Sequence, residues 1–147
     1  LILNEIKDKI QKESQLLWEK NNCKGLIALC TGAGKSKIAV NIISDKKHQG
    51  KWLLVVPTEK LRDENWKEEF KKWKKLTYYN KLDRECYASL HKVDLSKYDG
   101  IILDEGHNIT EANVLPFFKL NQEQYEKLKI LILTATPPKE DEKIEIL

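Results

Sequence analysis

Lys35 and Ser36 follow directly on Thr31–Gly32–Ala33–Gly34, and about seventy residues further on stand Asp104, Glu105, Gly106 and His107. Glycines at the first positions let backbone N–H groups turn toward phosphate oxygens, a lysine next to them neutralises the phosphate charge, and a hydroxyl after it can ligate Mg²⁺. Thr31, Gly32, Ala33, Gly34, Lys35 and Ser36 therefore read as a phosphate loop. A plain strand-to-helix turn would need the glycines but not Lys–Ser. Asp104 can complete a Mg²⁺ site with Ser36, and Glu105 beside it can orient and deprotonate a water. Together the two segments fit cleavage of a nucleoside triphosphate such as ATP, with Lys35, Asp104 and Glu105 as the groups that carry the chemistry.

The elements needed to bring these residues together are visible around them. Gly25–Leu29 is a short apolar run suited to a central strand, and Lys37–Ile43 places apolar residues at helical spacing, so strand, glycine loop and helix follow in order. The helix N-terminus adds its own partial positive charge to an anion site. Asp99–Leu103 has a continuous apolar centre, as expected of a strand buried on both faces, and puts Asp104 and Glu105 at its carboxyl end, where ligands of open α/β sheets collect. Ile130–Leu133 repeats that pattern and is closed by Thr134, Thr136 and two prolines. The periodicities predict a helix over 4–19, strand 25–30, helix 35–46, strand 51–56, helix 59–74, a strand near 76–80, a strand or turn near 85–88, strand 100–104, helix 110–119 and strand 129–134. Such alternation implies an α/β fold, a mainly parallel sheet with helices on both faces.

The ordered set Cys30–Ser36, Val55–Thr58, Asp104–His107 and Leu133–Pro138 resembles motifs I, Ia, II and III of the superfamily 2 helicases and translocases, in particular the DExH branch that includes restriction-enzyme motor subunits. The resemblance spans about residues 23–138. The general phosphate-loop pattern has a glycine six positions before the lysine, where this chain has Leu29; an apolar residue there is common in that branch. Gly106 replaces the Ala of the DEAH form. The resemblance implies a RecA-like phosphate-loop domain in which Lys35 and Ser36 bind ATP and Mg²⁺, Asp104 completes the metal site and Glu105 activates water. It further implies that His107, Thr134 and Thr136 link nucleotide state to nucleic-acid binding, and that Pro57 and Thr58 contact the backbone of a bound strand, DNA in preference to RNA, with RNA also possible. Tyr87–Leu90 resembles another segment on that face, where Ser89 is either a phosphate contact or the cap of a short helix. Gln11 and Gln15 are both candidates for reading the adenine base.

A chain of 147 residues holds one domain. Motors of this kind use two, with ATP between them and arginines from the second stabilising the transferring phosphate. Arg62 and Arg84 fall in no arginine-finger-like segment, and the chain begins with Leu1 and has no Met. The expectation is a single first RecA-like domain over 1–147, with 1–22 a leading helix and 139–147 the start of a passage to a second domain supplied in cis or in trans. The leading functional reading is an ATP-hydrolysing helicase or translocase motor domain, weak by itself. The alternative is a non-catalytic, nucleotide-gated nucleic-acid-binding module that regulates a partner. Leu133–Pro138 argues against a third possibility, a small-molecule kinase.

Composition narrows the setting. A third of the residues are charged, no apolar stretch reaches the length of a membrane span and no secretory signal is evident, so a cytoplasmic protein with no membrane partner is expected, and the resemblance to restriction-enzyme motors implies a bacterial or phage-like one. The three cysteines are too few and scattered for a zinc cluster or disulfide framework. A net charge of +3 does not announce a nucleic-acid binder. Between Lys67 and Lys75 five lysines interleave with aromatics, but Leu61, Trp66, Phe70 and Trp73 form one apolar stripe, which points to a core-facing helix with a solvated basic side. Ile2, Leu3, Ile6, Ile10 and Leu17 suggest a leading helix laid over the sheet. His48 and His91 sit in polar sequence with no metal-ligand spacing.

Overall fold

The computed structural model describes residues 2–29 and 34–135. Five strands, β1 (Lys24–Ala28), β2 (Trp52–Val56), β3 (Asp83–Cys86), β4 (Gly100–Asp104) and β5 (Lys129–Thr134), form one sheet in the order β1-β5-β4-β2-β3. Every pairing is parallel. After β1 the chain passes across the positions of β5 and β4 to reach β2, then returns to fill them, which creates a switch in strand order beside β1. The register aligns Ala28 with Thr134 and Asp104 with Leu133, so the ends of β1, β4 and β5 open on one edge.

Alternation along the strands builds a core on each face. Trp52, Leu54, Val56, Ile102, Leu131 and Leu133 meet α2 (Lys35–Ser44) and α3 (Trp66–Lys72) on one side. Leu53, Val55, Ile101, Leu103, Ile130 and Ile132 pack on the other side with α5 (Tyr87–Leu90) and the partly buried Phe117 and Tyr125 of α6 (Glu111–Phe118) and α7 (Gln122–Lys127). Both faces of β2 and β4 are closed to water, which is why those strands read as continuous apolar runs.

Sequence expectations are corrected at two helices. Residues 76–80 are not a strand but part of helix α4 (Leu76–Lys81). The segment is rich in β-type residues, but Tyr79 decides its form: its ring packs 5.7 Å from that of Phe70 and its hydroxyl donates to the Arg62 carbonyl at 2.6 Å. Tertiary packing thus overrides local preference. The leading helix α1 (Ile2–Lys20) is present, but it turns Gln11 and Trp18 inward and leaves Ile2, Leu3, Ile6 and Leu17 exposed. Gln11 and Trp18 are seven residues apart and so share a helix face. The inward stripe is this one and not the aliphatic one.

His48, expected in polar surroundings, is buried. It fastens α1 to the start of the sheet: its Nε2–H donates to Glu19 at 2.6 Å, its Nδ1 accepts from the Lys129 ammonium at 2.9 Å, and its ring meets Trp18 edge-on. Trp18 donates its indole N–H to the Ile130 carbonyl at 2.8 Å. Glu19, Asp45 and His48 draw their ligand-type atoms together, but the Lys47 ammonium contacts both carboxylates and Lys129 the imidazole, so their charge is already matched.

Burial raises the Glu19 carboxyl, but hydrogen bonds from His48, Gln15 and Lys47 more than reverse this and hold it below the ordinary carboxylate range. A lowered folded-state value means that the stabilisation is complete above the unfolded value of 4.5 and is lost as pH falls through the folded one. Glu19→Gln should therefore be less stable than the parent at pH 7, with the gap closing below pH 4.5. Urea unfolding at a series of pH values checks this, and a gap independent of pH would contradict it.

Candidate active site

Gly34 ends the phosphate-loop segment in the left-handed conformation (φ 84°) and caps α2. A side chain here would be strained by that dihedral, and its Cβ would push the Gln11 amide aside. Gln11 donates to the Gly34 carbonyl at 3.4 Å, whereas Gln15 turns to Asp45 and Glu19. Of the two glutamines, Gln11 is the one beside the loop. Thr31, Gly32, Ala33 and Thr136 lie outside the described residues.

Lys35, in the first turn of α2, reaches across to the end of β4. Its ammonium donates to Asp104 Oδ1 at 3.1 Å and to Glu105 Oε1 in a second, shorter contact. Burial lowers the ammonium's affinity for its proton, but the Asp104 charge and the two carboxylate contacts outweigh it, so Lys35 stays firmly protonated. Glu105 adopts the left-handed region (φ 51°), rare for a residue with a side chain, and this turn after β4 aims its carboxylate back at Lys35. Its own N–H donates to Asp104 Oδ1 at 3.0 Å.

Asp104 is buried and tied down further by groups that its sequence neighbourhood does not reveal. Trp66 donates its indole N–H to Oδ2 at 2.9 Å, and the Tyr87 hydroxyl donates to the backbone carbonyl at 2.7 Å. Burial, and secondarily the Asp104 and Glu105 charges, push the Tyr87 phenol far up, so it remains a donor. Asn113 holds Tyr87 in turn through its carbonyl at 2.8 Å. Trp66 and Tyr87 are core aromatics, and their polar atoms are the part a hydropathy pattern hides.

Gly34, Lys35, Ser36 and Glu105 line a cleft of about 810 Å³ that continues past Gln11 to Trp73. A second hollow joins Lys35, Ser36, Asp104 and Glu105 to Trp66. The Ser36 hydroxyl and the Asp104 carboxylate offer oxygen donors only, the set a hard cation such as Mg²⁺ prefers. Past Glu105, His107 Nδ1 lies 3.3 Å from Thr134 Oγ1 and 3.6 Å from Glu105 Oε2, so the expected coupling pair His107 and Thr134 is in contact. Pro57, Thr58 and Ser89 stand apart from these clefts. Val56 and Cys86 are register partners, so the segments carrying the three residues leave from neighbouring strand ends. Thr58 Oγ1 accepts from the Leu61 N–H at 3.2 Å and so caps the helical run that follows β2. Ser89 sits inside α5, whose N-cap is Cys86, so it is not that helix's cap.

A parallel five-stranded sheet with the Lys35 ammonium clasped by two carboxylates at its carboxyl edge is the arrangement expected of a RecA-like domain. The family described as "Type III restriction enzyme, res subunit" matches residues 2–83, and the chain belongs to it, as a first RecA-like domain of the superfamily 2 helicases and translocases. The chain is 32% identical to the DNA 3'-5' translocase XPB2 of Sulfurisphaera tokodaii over 96% of its own length and 34% of that protein's, so it spans about a third of this curated relative. The solved structure of a hypothetical ATP-dependent RNA helicase from Sulfolobus tokodaii matches 89% of this chain and 46% of that one, with a TM-score of 0.54 and 19% identity, a likeness of fold.

Gly106 shows how tightly the end of β4 meets β5. A Cβ on it would overlap Ile132 Cγ2. Gly106→Ala should therefore destabilise the protein by roughly 1–3 kcal/mol, the usual cost of overpacking, and Ile132→Ala should restore part of the loss in the double variant. Additive losses in denaturant unfolding would show that the two positions do not compete for space.

Proposed function

We propose that this chain is the nucleotide-binding half of an ATP-driven DNA motor. The observation that carries the reading is the Lys35 ammonium bridging Asp104 and Glu105 at the carboxyl edge of the sheet, beside the cleft that Gly34 and Ser36 also line. A bound Mg²⁺ would supply positive charge against the charge that develops on the phosphate. Ser36 and Asp104 are the residues that would hold it. Lys35 would exchange its carboxylate partners for the nucleotide's phosphates, and that exchange frees Glu105 to accept a proton from the attacking water. Gln11, beside Gly34, is the better placed glutamine for the adenine base. His107, in contact with both Glu105 and Thr134, would pass the state of the site along the sheet edge, with Thr136 as a further link.

Pro57, Thr58 and Ser89 are proposed to contact the nucleic-acid backbone, at the ends of β2 and β3. DNA is favoured by the XPB2 relative, a DNA translocase. Both arginines are engaged elsewhere: Arg62 pairs with Asp63, and Arg84 donates to the Tyr79 and Leu82 carbonyls and stacks on the Tyr79 ring. A second RecA-like domain, in cis beyond a passage starting near 139 or in trans, is therefore proposed to supply the charge that stabilises the transferring phosphate, an effect of about 10³–10⁵ in rate in other nucleotide hydrolases. Among the described residues, no helix is long and apolar enough to cross a membrane.

Lys35→Ala should weaken Mg²⁺–ATP binding about tenfold or more, the equivalent of one charge-assisted hydrogen bond. Glu105→Gln should bind ATP nearly as the parent does and lose whatever hydrolysis the parent shows. Calorimetric titration with a parallel phosphate-release assay separates the two, and Lys35→Ala binding as tightly as the parent would refute the site.

A further inference from the structure

We propose that Trp66 is a positioning residue for Asp104, its indole N–H fixing the carboxylate so that it stays presented to a divalent cation after Lys35 lets go; this rests on the nucleotide reading above. Asp104 divides its contacts between its two oxygens. Oδ1 accepts from the Lys35 ammonium and the Glu105 N–H, while Oδ2 accepts from Trp66 Nε1–H at 2.9 Å. When Lys35 turns to the phosphates, its hold on Oδ1 would be loosened or shared. The Trp66 bond involves no group that turnover needs elsewhere, so it can hold the carboxylate's orientation throughout. Trp66 is buried, yet it lines the hollow shared by Lys35, Ser36, Asp104 and Glu105, so its polar edge faces the metal-binding side of the site.

The backbone carries a device that puts the indole there. Leu61 and Trp66 are five residues apart, and in an α-helix a five-residue step turns a side chain well off the starting face. The segment Leu61–Asn65 is instead a π-helical turn, and the Trp66 N–H bonds to the Leu61 carbonyl five residues back. This extra residue resets the helix phase, so that Leu61, Trp66, Phe70 and Trp73 all pack toward the same core. The turn lies between the Thr58 cap and Trp66. Its inserted residue has a clear structural consequence, the aim of Trp66 at Asp104.

The test is a Mg²⁺ titration of ATP binding, followed with a fluorescent ATP analogue, for the parent, Trp66→Phe and Phe70→Leu, together with metal-free nucleotide binding and urea unfolding. Trp66→Phe keeps a ring and removes the N–H. Phe70, whose ring lies 6.3 Å from that of Trp66, perturbs the same core without touching Asp104. Loss of a partner that orients a metal ligand typically costs about 10–100-fold in metal affinity. The expected result is a Mg²⁺ half-saturation raised roughly tenfold in Trp66→Phe, with metal-free binding unchanged, and no such shift in Phe70→Leu at comparable loss of stability. An unchanged Mg²⁺ dependence in Trp66→Phe, or an equal shift in both variants, would overturn the positioning role. A parent protein with no Mg²⁺-dependent ATP binding would overturn the nucleotide reading beneath it.

Discussion

The site is organised around one cation shared by two carboxylates, one of which, Asp104, folding has taken out of water. Asp104 is almost fully buried and Lys35 largely so, and an ionised pair at that depth is tolerable only when each charge has partners. Lys35 lies at the start of α2, and Asp104 at the end of β4, so their contact requires β1, β5 and β4 to lie side by side in register. The strand order β1-β5-β4-β2-β3 achieves this by leaving positions beside β1 that the last two strands fill. The same need explains the left-handed Glu105, which bends the chain so that a second carboxylate returns to the ammonium.

Around this pair the structure separates groups that must move from groups that must not. The ammonium of Lys35 and the carboxylate of Glu105 are reachable from the clefts and can exchange partners. The carbonyl and Oδ2 of Asp104 are held by Tyr87 and Trp66 from the two opposite cores, and Asn113 braces Tyr87. At the opposite edge of the sheet, the Glu19–His48–Lys129 chain performs a purely architectural task. It ties α1 to β5.

Much of this was legible in the sequence, because the strands buried on both faces announce themselves as apolar runs and the phosphate-loop and acidic segments fall at their ends. The helix beginning near 59 was legible as an apolar stripe, but not its π-turn, although the five-residue step from Leu61 to Trp66 was a clue. Trp66 reads in sequence only as part of a core-facing stripe, and Tyr87 only as the start of a segment resembling a nucleic-acid-facing motif, since hydropathy counts a ring and ignores its N–H or O–H. The segment 76–80 misled because its β-type residues are outweighed by the packing of one tyrosine. In α1 the aliphatic stripe drew attention away from the mixed Gln11–Trp18 face, whose partners are polar atoms on other elements. His48 has polar neighbours in sequence, while its neighbours in space are Trp18, Glu19 and Lys129.

The measurement that bears most directly on this account is a double-mutant cycle on folding stability, in nucleotide-free protein, between Lys35→Met and Asp104→Asn. Lys35→Met strands the buried Asp104 carboxylate, a change that typically costs about 3–5 kcal/mol, and Asp104→Asn leaves Lys35 with Glu105 alone, whereas removing both leaves neutral groups of similar size at these two positions. The account predicts that the double variant is more stable than the sum of the single losses implies, by about 1–3 kcal/mol. Single losses that simply add would mean that Lys35 and Asp104 do not depend on each other, and the constraint placed at the centre of this structure would fall.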